Sequence, residues 1–183
     1  MNYKNFKHYF IGLSLIVLVM ACKDVSPREK ELKINIGKPL HLNKFKTIQQ
    51  VNKTFYFDEF RNNYKYTSIV FLQNNCNSCY PKFIQWQQEM DSLDIPNNYT
   101  VLFIIQGNSY DDFMTNVLDI EYIDDTFYTI MDPEGKFLEA NKDIPRWIID
   151  ASVLIDSDNK IKMVGAPFAT PEMTDLFHEI CKQ

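Results

Sequence analysis

The sequence predicts an α/β domain with a mixed central sheet flanked by helices. Two short runs rich in apolar and β-branched residues, Thr67–Leu72 and Thr100–Ile105, have the length and composition of buried strands. Each is followed by a stretch with helical periodicity. A third run, Ser152–Ile155, is followed by Asp156-Ser157-Asp158-Asn159 and a returning segment Lys160–Val164, the pattern of a hairpin. Strands alternating with helices, closed by a hairpin, imply a mixed sheet with helices on both faces. At 183 residues, 45% hydrophobic and 23% charged, the chain suffices for one such domain and an appendage.

The appendage is N-terminal. Lys4 and Lys7 precede an uncharged run, Tyr9 to Ala21, that ends at Cys22. This is the charged and apolar build of an export signal, and the apolar part is short for a stable membrane span. Val19-Met20-Ala21-Cys22 resembles the lipobox of bacterial lipoproteins, although Met20 stands where a small residue is usual. The resemblance implies cleavage before Cys22 and diacylation of its sulfur. The alternative is an uncleaved N-terminal anchor helix. Either way the rest of the chain is expected outside the cytoplasm, in a bacterial cell envelope, facing the periplasm or the cell surface. Residues 1–21 are therefore read as a signal peptide. Residues 22–33, polar and without periodicity, read as a flexible tether, and 34–183 as the domain.

Within the domain, Ile34 to Val51 alternates loosely around a break at Gly37-Pro39, which predicts one or two short strands as an N-terminal extension of the sheet. Phe57–Tyr64 reads as a short helix entered through Asp58. After the strand Thr67–Leu72 comes a helix from about Cys79 to Leu93, with Phe83, Trp86, Met90 and Leu93 on one face. Pro81 is tolerated in its first turn, where the missing N–H has no intrahelical partner. After Thr100–Ile105, Ser109 with Asp112 three residues on marks the start of a helix whose apolar face includes Phe113, Met114, Val117 and Leu118. Asp132-Pro133-Glu134-Gly135 is a turn. Thr170, with Pro171 at the first helical position, opens a last helix carrying the stripe Met173, Leu176, Phe177, Ile180. No internal repeat or low-complexity block is present.

Charge excludes one class of function. Without the two signal lysines, 17 of the 19 basic residues remain against 24 acidic ones, a net charge of −7. A nucleic-acid partner needs a basic surface, so none is expected.

The chemistry lies in Cys76-Asn77-Ser78-Cys79, between the first core strand and its helix. That placement brings two thiols to a helix N-terminus, where unpaired N–H groups and the helix dipole stabilise a thiolate. The spacing lets the two sulfurs close and reopen a small disulfide, so the motif reads as a redox-active center. A static disulfide in an exported domain is the rival reading. Metal binding is a weaker one, because a closed zinc site needs two further ligands and His41 and His178 are isolated. Cys181, on the apolar side of the last helix, reads as a buried small residue.

This order, with CxxC between strand and helix, resembles the thioredoxin-like superfamily, and within it the membrane-attached TlpA and ResA type and the related AhpC/TSA-annotated lipoproteins. The resemblance covers roughly residues 34–183, and Val153-Leu154-Ile155-Asp156 followed by Asn159-Lys160-Ile161 adds to it. It implies a thioredoxin-like fold and thiol–disulfide exchange, with Cys76 as nucleophile and Cys79 as the thiol that resolves the mixed disulfide. Three positions depart from the pattern. Asn75 stands where an aromatic is common, with Asn77-Ser78 in place of a proline-containing pair. Asp150 stands where a cis-proline is expected, the nearest proline being Pro145. Val70 stands where an acidic residue is buried beneath the second cysteine.

Lys82, in the first helical turn, reads as a solvated lysine, with added positive potential at the cysteines as its alternative. Tyr80 reads as a half-buried aromatic, Asn77 and Ser78 as turn and capping residues or donors to sulfur, and Asp156 and Asp158 as turn formers. No Pro-x-x-x-Thr/Ser-x-x-Cys segment of a peroxidase, phosphate loop or Ser/His/Asp arrangement is present, and no cofactor is called for. The reading is an extracytoplasmic, lipid-anchored thiol–disulfide oxidoreductase that reduces disulfides of exported proteins and draws electrons from an upstream membrane donor. The alternative is a lipoprotein binding module of the same fold whose CxxC only braces a loop.

Overall fold

The strand-forming runs assemble into one seven-stranded sheet. The computed structural model describes residues 26–51 and 53–182; the signal segment and Cys22 lie outside the described residues. In chain order the elements are α1 (Pro27–Asn35), β1 (Thr47–Gln50), β2 (Lys53–Tyr56), α2 (Phe57–Asn63), β3 (Tyr66–Gln73), α3 (Cys79–Ser92), β4 (Tyr99–Gln106), α4 (Tyr110–Leu118), β5 (Tyr128–Met131), α5 (Lys136–Ala140), α6 (Arg146–Ala151), β6 (Val153–Ile155), β7 (Ile161–Val164) and α7 (Pro171–Cys181). The chain divides after Glu31, and the fold is that of the unit beginning at Leu32.

The sheet order is β2-β1-β5-β4-β3-β6-β7. β3, β4 and β5 are parallel, while β6 runs antiparallel to β3, β7 to β6, and β1 to β5. β3 and β4 are aligned from Tyr66↔Tyr99 to Gln73↔Gln106, so their C-terminal ends lie level and their following loops adjoin. Alternation along these strands builds two cores. Val70, Leu72, Val101, Phe103 and Ile105 pack with Phe83, Trp86, Met90, Phe113 and Phe177 of α3, α4 and α7. Ile69, Phe71, Leu102 and Ile104 pack on the other face with Phe60, Phe137 and Ile148 of α2, α5 and α6.

Caps place the helices as anticipated. Ser109 Oγ accepts from Asp112 N, and Thr170 Oγ1 accepts from Met173 N. The turn at Asp156 also forms, its Oδ1 accepting from the N–H groups of Asp158 and Lys160.

Several expectations are corrected. Residues 27–33 of the expected flexible tether, 22–33, are helical as part of α1; Ser26 Oγ accepts from Glu29 N and Pro27 occupies the first turn, a start signal that the missing apolar face hid. Between Ile34 and Val51 the expected one or two short strands are met by one, β1, together with an isolated bridge from Pro39 to Lys160. The strands β2 and β5 and the short helices α5 and α6 are additions, too brief to show a period. Leu118 and Leu176 belong to the exposed surface rather than to their helices' buried faces.

Candidate active site

β3 ends at Gln73, and five loop residues carry the chain to α3. Cys76 and Cys79 form a disulfide within this turn, their Cα atoms 5.3 Å apart. The loop is shaped from below. Asn75 takes the left-handed conformation (φ 61°), which asparagine tolerates better than most residues. Its N–H is shared between Asn74 Oδ1 (3.0 Å) and Tyr80 Oη (2.9 Å), and the Tyr80 hydroxyl donates to Asn74 Oδ1 (3.0 Å). Tyr80 is buried rather than half-buried and lies against Phe113. Asn74 N–H donates to the Gln106 carbonyl, which ties the loop to the end of β4.

Both cysteines are partly exposed, and Cys79 packs against the core. Among the described residues, each sulfur has a donor beside it. Gln73 N–H points at Cys79 Sγ (3.4 Å), and Ser78 Oγ lies 3.4 Å from Cys76 Sγ. Ser78 occupies the N-cap position of α3 without a side-chain cap bond, so its hydroxyl is free for the sulfur. Among its two sequence roles, the donor role is the one its geometry fits.

The disulfide borders an open cleft of about 290 Å³ lined by Phe71, Gln73, Ser78, Lys82, Arg146 and Asp150 together with the cysteines. Asp150 lies beside the pair, but inside α6; the residue directly before β6 is Ser152, so the counted match of Asp150 to the expected proline is corrected, and Pro145 stands at the N-terminal end of α6. Arg146 Nε donates to Asp150 Oδ1 (2.7 Å), and its guanidinium lies 4.9 Å from the Phe71 ring. A second guanidinium N–H reaches Gln73 Oε1 (3.4 Å), while Gln73 Nε2 donates to Gln106 Oε1 (2.9 Å).

Lys82 is corrected. It is half-buried rather than solvated, with Nζ donating to the Asp150 carbonyl (2.9 Å). Burial pulls its pKa down to about 8, against the opposing pull of the Asp150 carboxylate. Val70 is fully buried and apolar, so the carboxylate the resemblance implies beneath Cys79 is absent from that position.

The remaining sequence candidates lie elsewhere. His41 holds Asn141 through its backbone, and the His178 ring sits against Phe177. Cys181 is a buried free thiol. Cys22 lies outside the described residues. Sequence reading missed Arg146 as a cleft residue. Its only local signal was the i,i+4 spacing to Asp150, and nothing local ties α6 to the cysteines.

The sheet order and the CxxC at the β3–α3 junction define a thioredoxin-like fold. No protein-family model matches the chain, and no curated protein matches it. Solved structures do. A candidate thiol-disulfide oxidoreductase from Bacteroides vulgatus is 16% identical, with a TM-score of 0.56 over 81% of this chain and 98% of the other. A candidate thiol:disulfide interchange protein, DsbE, from Chlorobium tepidum is 13% identical, with a TM-score of 0.54 over 80% and 97%. The exposed lipoprotein thioredoxin Etrx1 of Streptococcus pneumoniae is 18% identical, with a TM-score of 0.50 over 75% and 97%. At these identities the likeness establishes the fold. Among the described residues no helix is long and apolar enough to cross a membrane.

Proposed function

We propose that the protein is a thiol–disulfide oxidoreductase held by a lipid on Cys22 outside the cytoplasm, where it reduces disulfides of exported proteins. The observation that carries this reading is the Cys76–Cys79 disulfide at a helix N-terminus, partly exposed on an open cleft. A structural brace needs no such access. The structural likeness to an exposed lipoprotein thioredoxin supports the exported setting.

In the reduced protein, the Cys76 thiolate attacks a substrate disulfide. The Cys76–substrate bond forms as the substrate S–S bond breaks, and one substrate sulfur leaves as thiolate. Cys79, deprotonated, then attacks Cys76 Sγ and releases the second substrate sulfur. Two electrons pass from the pair to the substrate, to be restored by a membrane donor. Ser78 and the Gln73 N–H sit where they stabilise sulfur anions. No cofactor takes part in this sequence.

Equilibration with glutathione buffers, with Cys76 alkylation followed against pH, tests the chemistry. A potential above about −250 mV and a Cys76 pKa below roughly 7.5 are expected of an exchange catalyst. A disulfide that resists reduction below about −300 mV would identify a brace. For the anchor, Cys22→Ser should release the protein from the membrane fraction; continued membrane attachment would refute lipidation at Cys22.

A further inference from the structure

The second half of the exchange needs a proton acceptor, because Cys79 attacks as a thiolate. The cleft limits the choice. Val70 beneath the pair is apolar. The Gln73 N–H and the Ser78 hydroxyl are placed as donors to the sulfurs. The Arg146 guanidinium stays protonated at any working pH, and the Asp150 carboxylate is engaged by it at 2.7 Å. Among the described residues that line the cleft, the amine of Lys82 is the base without an ion-pair partner; it lies three residues beyond Cys79 in α3, on the same helical face.

We propose that Lys82 takes the proton of Cys79 as the mixed disulfide is resolved and returns it to the departing substrate thiolate. The inference rests on the exchange reading above. The Cys79 S–H proton moves to Nζ, directly or through one water in the open cleft. The Cys79 thiolate forms the bond to Cys76 Sγ, the Cys76–substrate bond breaks, and the leaving sulfur takes the proton back from the ammonium. No outside oxidant or reductant enters. Partial burial favours this role, because a pKa of about 8 puts neutral amine within reach near neutral pH. The hydrogen bond from Nζ to the Asp150 carbonyl holds the side chain at the cleft.

Reduced protein reacted with dithiodipyridine in a stopped-flow separates the two steps, since each releases one coloured thione. The first reports attack by Cys76 and the second its resolution by Cys79. In the unaltered protein the second step should accelerate as pH rises through about 8. Lys82→Met should slow the second step about tenfold or more near neutral pH, well beyond any change in the first. Lys82→Arg keeps the charge but cannot release its proton, and should behave like Lys82→Met. If Lys82→Arg restores the rate, Lys82 is only a fixed charge and the proposal is overturned. Asp150→Asn removes the carboxylate that raises the Lys82 pKa, so the acceleration should move to lower pH. Loss of the second step in Asp150→Asn would make Asp150 the acceptor and also overturn it. An unaffected second step in Lys82→Met refutes Lys82 alone, whereas absence of the first step in the unaltered protein refutes the exchange reading.

Discussion

Ser152 leads into β6 with φ 79° and ψ 153°, a region that side-chain-bearing residues rarely occupy. Its N–H donates to the Ile149 carbonyl and its carbonyl accepts from Gly165 N–H, so the neighbouring structure holds it there. Its hydroxyl is buried without a hydrogen-bond partner among the described residues. Both features cost stability, and both vanish in Ser152→Gly. That variant should gain about 1 kcal/mol after the extra entropy of glycine is deducted, read as a higher urea midpoint at unchanged slope. A lower midpoint would show that the strain is absent. Tyr80 is the other residue with a discrete duty. Tyr80→Phe removes one acceptor from Asn75 N–H and the donor to Asn74, so a loss of about 1 kcal/mol is expected. The Asn75 amide should also exchange faster with solvent, because the loop carrying Cys76 is loosened. Unchanged exchange would mean that the Asn74 side chain alone shapes the loop.

The short helices show what an element owes to a single side chain. α5 spans five residues, too few to be stable by itself. Asp132, almost wholly buried, supplies both of its carboxylate oxygens to the helix start, Oδ1 to Lys136 N and Oδ2 to Phe137 N, each at 2.9 Å. Asp132→Ala leaves two helix-start N–H groups without these partners and should cost roughly 2–3 kcal/mol. Asp132→Asn keeps one acceptor oxygen and should recover about half of that, measured by urea unfolding. Equal losses in the two variants would show that charge, not acceptor count, holds the cap. Elements with eight or more residues were legible in the sequence, β3 and β4 from their length and β-branched composition and α3 and α7 from their helical period. The sequence identified Asp132 only as part of a turn, since nothing local distinguishes a turn aspartate from one that also caps the next helix. α1 was legible in principle from Ser26-Pro27, but its polar face offered no periodicity to extend the signal.

For the whole molecule, the buried Cys181 thiol couples global stability to pH. Burial raises its pKa from 9.0 to about 12, so the native state holds a proton that the unfolded chain releases. The unfolded state therefore gains from ionisation as pH rises above 9, and this contribution to stability should fall between about pH 9 and 12. Buried tyrosines such as Tyr99 slope the same way, so the measurement is the difference from Cys181→Ala, whose stability should decline less steeply over that range. Parallel slopes would rule out the linkage. With the disulfide reduced, an alkylating reagent should modify Cys76 and Cys79 in the native protein and Cys181 only on unfolding.

The sequence by itself determined the strand–CxxC–helix unit, the closing hairpin and the capped last helix, because each is written in contiguous residues whose periodicity or turn chemistry acts locally. From these the thioredoxin-like architecture followed. Only the tertiary structure decided what surrounds the cysteine pair. Lys82 comes from α3, Arg146 and Asp150 from α6, and Gln73 from the end of β3, brought together when β6 pairs antiparallel to β3. No local pattern encodes that meeting. The same folding step half-buries Lys82, and it is desolvation, a property of the assembled cleft, that turns an ordinary helix lysine into a group with a pKa of about 8.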